Sequence, residues 1–266
     1  MMNDITNIFG GCCKMNSCIS VERILEKLDS HLNKNDYASA ERHLLYWVSE
    51  AELAGDLRTL LTLFNELMGL YRKTGKREQA LECVSTALEK IKSASAENSV
   101  GAATTYLNCG TVYKAFSMAD KGIELFYKAR EIYERELEVD DSRLGGLYNN
   151  MALALVDLKR FSEANELYRR AVSIMEKQER GELEVAITYL NMATAAEAEL
   201  GLEAADAEIQ KNFAVAEELL EGHTVRDGYY AFVCEKCASV FGYYGHFICE
   251  KELYRRAEEI YRDQRA

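Results

Sequence analysis

The stretch Leu147-Tyr148-Asn149-Asn150-Met151-Ala152-Leu153-Ala154-Leu155 decides the fold class, together with Arg160-Phe161-Ser162-Glu163-Ala164-Asn165-Glu166-Leu167-Tyr168-Arg169-Arg170-Ala171 just after it. In the first segment Leu147, Tyr148, Met151, Ala152 and Leu155 recur at three- and four-residue steps, which puts them on one face of a helix. A polar break follows at Lys159-Arg160. Then Phe161, Ala164, Leu167, Tyr168, Ala171 and Ile174 continue a second apolar stripe. The pattern is two amphipathic helices joined by a tight turn.

Working outward, the second-helix core of this unit returns along the chain. Asp36-Tyr37-Ala38-Ser39-Ala40, Lys76-Arg77-Glu78-Gln79-Ala80, Asp120-Lys121-Gly122 and Leu202-Glu203-Ala204-Ala205 align with it on Ala40, Ala80, Gly122, Ala164 and Ala205, at spacings of about 40 to 42 residues. A sixth, weaker copy aligns Glu250 with that small residue. Gly110, Ala152, Ala193 and Ala238 sit in the first helices, and Ala87, Ala129, Ala171 and Ala257 in the second. Small side chains there let paired helices approach near the low end of the roughly 8–10 Å interaxial range. Gly75, Gly201 and Gly245 fall just past a first helix, where left-handed backbone is needed.

The quoted residues resemble a tetratricopeptide repeat of the long-helix type found in kinesin light chains. The familiar repeat is 34 residues, so the longer period implies about one extra turn per helix. The resemblance covers roughly residues 21–265 and implies an all-α, right-handed superhelical solenoid of about six hairpins, a single repeat domain over 20–266. Residues 1–19 lie outside the pattern and read as an irregular N-terminal leader. Leu28, Trp47, Met68, Asn212 and Glu250 stand where that family prefers small side chains, which predicts altered packing in the first and last units.

Composition agrees with an all-helical chain. Its 266 residues contain no proline, the residue that most disrupts helix interiors. Acidic residues outnumber basic ones 44 to 32, for a net charge of −12, and no basic run exceeds two residues; this argues against nucleic acid as a partner. No apolar stretch reaches membrane-spanning length, so no membrane partner is expected. Met1 to Ser20 has neither a basic start nor an apolar core, and with eight cysteines and no export signal the expectation is a cytoplasmic protein with reduced thiols.

In such a solenoid the first helices line the concave face. Asn108, Asn150 and Asn191 recur two residues before the small crossing position of successive first helices. A carboxamide both donates to and accepts from a peptide backbone, so the row suits an extended ligand held without reading its sequence. Matching asparagines hold the ligand backbone in kinesin-light-chain-like and related peptide-sensing families, and the resemblance implies that role for these three. The competing reading is that they bridge neighbouring helices. The same face is expected to carry Asn65, Arg72 and Lys73 in unit two, Thr111 and Lys114 in unit three, and Asn149 in unit four. Thr194 follows in unit five, with Lys236 and Tyr243 in unit six. Arg72, Lys73 and Lys114 form a modest cationic cluster that favours an acidic peptide, or merely keeps the groove wet.

Other chemistry is thinly represented. Cys234-Glu235-Lys236-Cys237, His246 and Cys249 spell C-x2-C-x8-H-x2-C, a spacing zinc accepts, but the cysteines fall on an apolar stripe and read as core. Cys12, Cys13 and Cys18 carry a similarly weak metal signal. There is no phosphate loop, nucleophile elbow or H-E-x-x-H helix, and His31, His43, His223 and His246 are scattered through different units. The sequence therefore points to a non-catalytic scaffold without cofactor that binds a protein or peptide. Self-association of the chain through its groove or its dense C-terminal tyrosines is the alternative.

Overall fold

The computed structural model describes residues 20–263, and over that range the chain is all-α, twelve helices packed as six hairpins. They are α1 (Val21–Leu32) with α2 (Tyr37–Ala54), α3 (Leu57–Lys73) with α4 (Arg77–Ser93), and α5 (Val100–Ala115) with α6 (Ala119–Glu136). Then come α7 (Ser142–Asp157) with α8 (Phe161–Met175), α9 (Glu182–Leu200) with α10 (Leu202–Gly222), and α11 (Gly228–Tyr243) with α12 (Phe247–Asp263). The leader assigned to residues 1–19, with Cys12, Cys13 and Cys18, lies outside the described residues.

First and second helices begin differently. The first helices α1, α3, α5, α7 and α11 are capped by Ser20, Asp56, Ser99, Asp141 and Asp227, whose side-chain oxygens accept from backbone N–H groups of the first turn. The second helices α4, α6 and α8 follow directly on the closing turn of their partner and lack a side-chain cap, whereas α2 is capped by Asp36 and the first helix α9 has no side-chain cap. That turn recurs. Asn35, Gly75, Ser117, Lys159 and Gly245 all take positive φ, and the next N–H reaches back five residues, as in Lys76 N to Tyr71 O at 2.9 Å and Arg160 N to Leu155 O at 2.8 Å. Glycine marks this turn in the sequence at Gly75 and Gly245, and the polar break marks it at Lys159; Ser117 adopts the same backbone without either signal. The α9–α10 turn departs from the pattern, with Gly201 at φ 82° and ψ 157°.

Within a hairpin the closest approach falls on the small residues. A Cβ on Gly122 would lie 2.8 Å from the Gly110 carbonyl oxygen, so α5 and α6 touch backbone to backbone. The last unit reaches the same closeness in reverse. Glu250 stands in the second helix where others have a small residue, and Gly242 of α11 makes room, since a Cβ there would meet the Glu250 carboxylate. Leu28 of the first unit and Met68 of the second are 2% and 1% exposed, so the bulk at these positions is absorbed into the core. Met68 Sδ lies 3.7 Å from Cys109 Sγ of the next unit.

The core runs as one cluster from Ile24 to Ile174, joined by Ala195, and as a second from Leu183 to Ala257. The division falls between α8 and α9. Past it, the α10–α11 linker is pinned by His223, which is buried, bonds Glu182 through Nδ1 at 2.6 Å and stacks on Tyr230.

Gly122→Ala gains about 1 kcal/mol of helix propensity but overpacks a backbone contact at a cost of about 1–3 kcal/mol. A lower thermal midpoint is expected. Gly146→Ala, whose new Cβ meets nothing within 4 Å, should raise the midpoint instead; calorimetry on both variants checks the pair.

Candidate functional site

The first helices α3, α5, α7, α9 and α11 pack in succession along one side, each against the next, while the second helices back them. The array curls far enough that α3 and α11, four hairpins apart, line one cavity of about 480 Å³ with Gly69, Arg72, Lys73, Phe232, Glu235 and Lys236. At the rim the Tyr37 phenol is close enough to Tyr261 to act on it electrostatically, and Tyr261 Oη donates to Glu235 Oε2 at 3.4 Å. The curled interior is the concave groove.

The expected asparagine row is present, but its members are in two situations. Asn108 and Asn150 are half-buried, and each donates through Nδ2 to the carbonyl one turn back, Thr104 O at 3.1 Å and Gly146 O at 2.8 Å. No described residue donates to either Oδ1. Asn191 instead donates to Asn149 Oδ1 at 3.0 Å, tying α9 to α7. Asn149 is 7% exposed and serves this helix–helix bridge rather than the open face. Asn65 stands in the same register to Asn108 as Asn149 does to Asn191. Because Asn108 turns to its own helix, Asn65 Oδ1 is left buried without a donor. The row also continues beyond what the spacing of asparagines shows. Glu66 precedes Asn108 in unit two, and Lys236 follows Asn191 in unit six, so an acid and a base terminate it. Burial raises the Glu66 carboxyl above its ordinary value, and Asp29 adds to this.

The cationic cluster is composed differently from the one the sequence suggests. Lys114 turns away to Asp157 of the next unit, 3.6 Å off. Arg72 and Lys73 are joined instead by Lys236 from the far end of the chain, across the 480 Å³ cavity. Lys73 also sits over the Tyr37 ring at 5.5 Å. Burial pulls the Arg72 guanidinium below its ordinary value. Thr111 and Thr194 bond the carbonyls of Leu107 and Leu190 in their own helices, at 2.9 and 3.2 Å. Tyr243 is 73% exposed and donates to Glu197 at 3.2 Å, with Tyr244 bonding the other oxygen of that carboxylate. A second cavity, about 350 Å³, lies beside Asn150 and Asn149 between α7 and α9, with Gly145, Gly146, Glu184 and Thr188 in its wall.

Sequence reasoning missed Gly69, Tyr37 and Tyr261, while Phe232 belongs to the dense C-terminal aromatics that it singled out. No local pattern marks the three, since their meeting depends on accumulated curvature. It also kept apart His31 and His43, whose rings lie 5.8 Å apart within the first hairpin.

The C-terminal cysteines are placed in the core. Cys234 and Cys237 are buried on α11 and Cys249 half-buried on α12, and burial pushes each thiol up to about 12. His246 stacks on Phe213, 4.9 Å between centroids. Among the described residues no three His, Cys, Asp or Glu side chains converge as metal ligands.

Residues 59–135 and 117–177 match the tetratricopeptide repeat family model, and the chain is a tetratricopeptide repeat protein. The family is one of generally non-catalytic scaffolds whose domains typically bind peptides and proteins. Among solved structures, BtubC (BKLC) from P. vanneervenii is similar with a TM-score of 0.63 and 20% identity, over 77% of this chain and 82% of that one. Kinesin-light-chain TPR-like repeats from Podospora anserina match with a TM-score of 0.52 and 16% identity, over 77% and 97%. A Rap protein solved in complex with competence and sporulation factor matches at 0.53 and 13% identity, over 91% and 75%. These likenesses concern the fold. No curated protein matches the chain by sequence. Among the described residues no helix is long and apolar enough to cross a membrane.

A thiol with a pKa near 12 is almost wholly protonated at pH 8 and therefore unreactive. In a variant with Cys12, Cys13 and Cys18 changed to serine, the remaining five thiols should resist Ellman's reagent for many minutes at pH 8. They should all react at once in guanidinium. Fast reaction of two or more in the folded protein contradicts the burial described.

Proposed function

We propose that the protein is a non-catalytic scaffold that holds an extended segment of a partner protein in its concave groove. The observation that carries this is the repeated presentation of a half-buried asparagine, Asn108 and then Asn150, from successive first helices with its carbonyl oxygen unengaged. Neighbouring helices stand roughly 10 Å apart and extended chain rises about 3.3 Å per residue, so each asparagine meets about every third residue of the ligand. A backbone N–H of the ligand donates to Oδ1, and the second Nδ2 proton is free for a ligand carbonyl. Asn191 contributes the next rung with its own Oδ1, steadied by Asn149. Thr111, Thr194 and Tyr243 border the path, and Asn65 offers a buried acceptor beneath it. A cytoplasmic setting belongs to the same reading, supported by the free cysteines of the described chain.

Self-association is the second reading. It is favoured by Leu200, Leu202, Phe247 and Ile248, which are 53–89% exposed at the hairpin turns of the last two units, where the earlier units carry mostly polar residues. Sedimentation over a hundredfold concentration range separates the two, since a strict monomer leaves the groove for another chain.

The test uses a dodecapeptide selected from a random phage-displayed library and measured by calorimetric titration. Asn108→Ala and Asn150→Ala should each weaken binding about 3- to 10-fold, the equivalent of about 1 kcal/mol for one hydrogen bond, with the thermal midpoint unchanged. If both variants bind like the parent, the groove reading fails.

A further inference from the structure

The cavity between α3 and α11 has a charge imbalance that the fold itself does not use. Three cations and one carboxylate line it. The other half-buried arginines each hold a carboxylate, Arg160 with Glu163 and Arg256 with Glu221. Arg72 holds none: no described residue accepts a hydrogen bond from its guanidinium or from Lys236 Nζ. Taking a guanidinium out of water costs free energy that a paired carboxylate normally offsets. The lone carboxylate in the wall, Glu235, already accepts from Tyr261. The remaining wall is apolar or empty. Phe232 is 44% exposed, and above Gly69 an added Cβ would touch nothing within 4 Å. The volume admits a few side chains and no folded domain. Three cations in a chain of net charge −12 are too few for a nucleic-acid backbone.

We propose that this cavity is a subsite for an acidic peptide, in which a carboxylate side chain lies between Arg72 and Lys236 and an adjacent apolar side chain rests on Phe232 over Gly69. The proposal rests on the groove reading above and adds the ligand's chemical class and its anchoring point. Lys73, held over Tyr37, supplies the rim charge. Because the two principal cations come from units two and six, the occupant also ties the arms of the curled array together. An unpaired, desolvated Arg72 is then a group kept for its ligand at the expense of stability.

The probe is a fluorescein-labelled dodecapeptide repeating Glu-Phe-Ser, read by anisotropy against its Gln-Phe-Ser counterpart, so that binding does not depend on register. The acidic peptide should bind at least about tenfold tighter. Arg72→Met and Lys236→Ala should each remove most of that preference and leave the Gln peptide unchanged. Lys114→Ala, which removes the same charge from a paired lysine, should stay within about twofold. Arg72→Met should also raise the thermal midpoint of the free protein, which loss of a merely structural arginine would not do. Lys236 is exposed, so Lys236→Ala decides the matter even if Arg72→Met folds poorly. Equal affinity for the two peptides, or indifference to both cations, overturns the subsite and leaves the groove reading standing. If Asn150→Ala weakens neither peptide while the cations still matter, the groove reading falls alone. Absence of binding by either peptide at 1 mM overturns both. An Arg72-dependent single-stranded oligonucleotide binding as tightly overturns the peptide assignment.

Discussion

The closeness of the two helices in each hairpin is the constraint on which the rest depends. Where Gly110 faces Gly122 the backbones themselves are in contact, and a single added methyl would have to push them apart. Close pairs make thin hairpins, and thin hairpins stacked with a small rotation curl tightly. The last unit shows that the distance is what matters rather than which helix supplies the small residue. There Glu250 intrudes, and Gly242 on the opposite helix yields the space.

Curvature then determines what the groove contains. A flatter stack would leave Arg72 and Lys236 on separate stretches of open surface, each solvated by water. In the curled array they share a cavity with Phe232, and its one carboxylate, Glu235, is engaged by Tyr261. Desolvation without a partner gives the Arg72 guanidinium its lowered pKa. Ion pairs elsewhere, such as Lys177 with Asp140 and Arg169 with Glu166, are largely exposed and contribute little beyond solubility.

The asparagines divide between structure and surface by the partner each takes up, and register alone does not decide it. Those placed toward the following unit, Asn149 with Asn191, bridge α7 and α9 where the apolar core passes from one cluster to the next. Asn108 and Asn150 fold back on the carbonyl of the preceding turn and keep an oxygen free.

The sequence by itself determined the helices, their pairing and the repeat, because 3.6-residue periodicity and small residues at fixed offsets are local properties written along the chain. It located the asparagine row and, through its glycines, three of the six tight turns, with the polar break marking another at Lys159; Asn35 and Ser117 gave no such signal, because their positive φ is imposed by the closing hydrogen bonds rather than by residue type. Tertiary structure alone decided which polar residues share a site. It sent Lys114 to Asp157, turned Asn149 into the seam, and brought Lys236 across to Arg72. That last contact spans residues 72 to 236, and its existence depends on the sum of four small rotations between units, none of which is large enough to leave a mark in the local sequence.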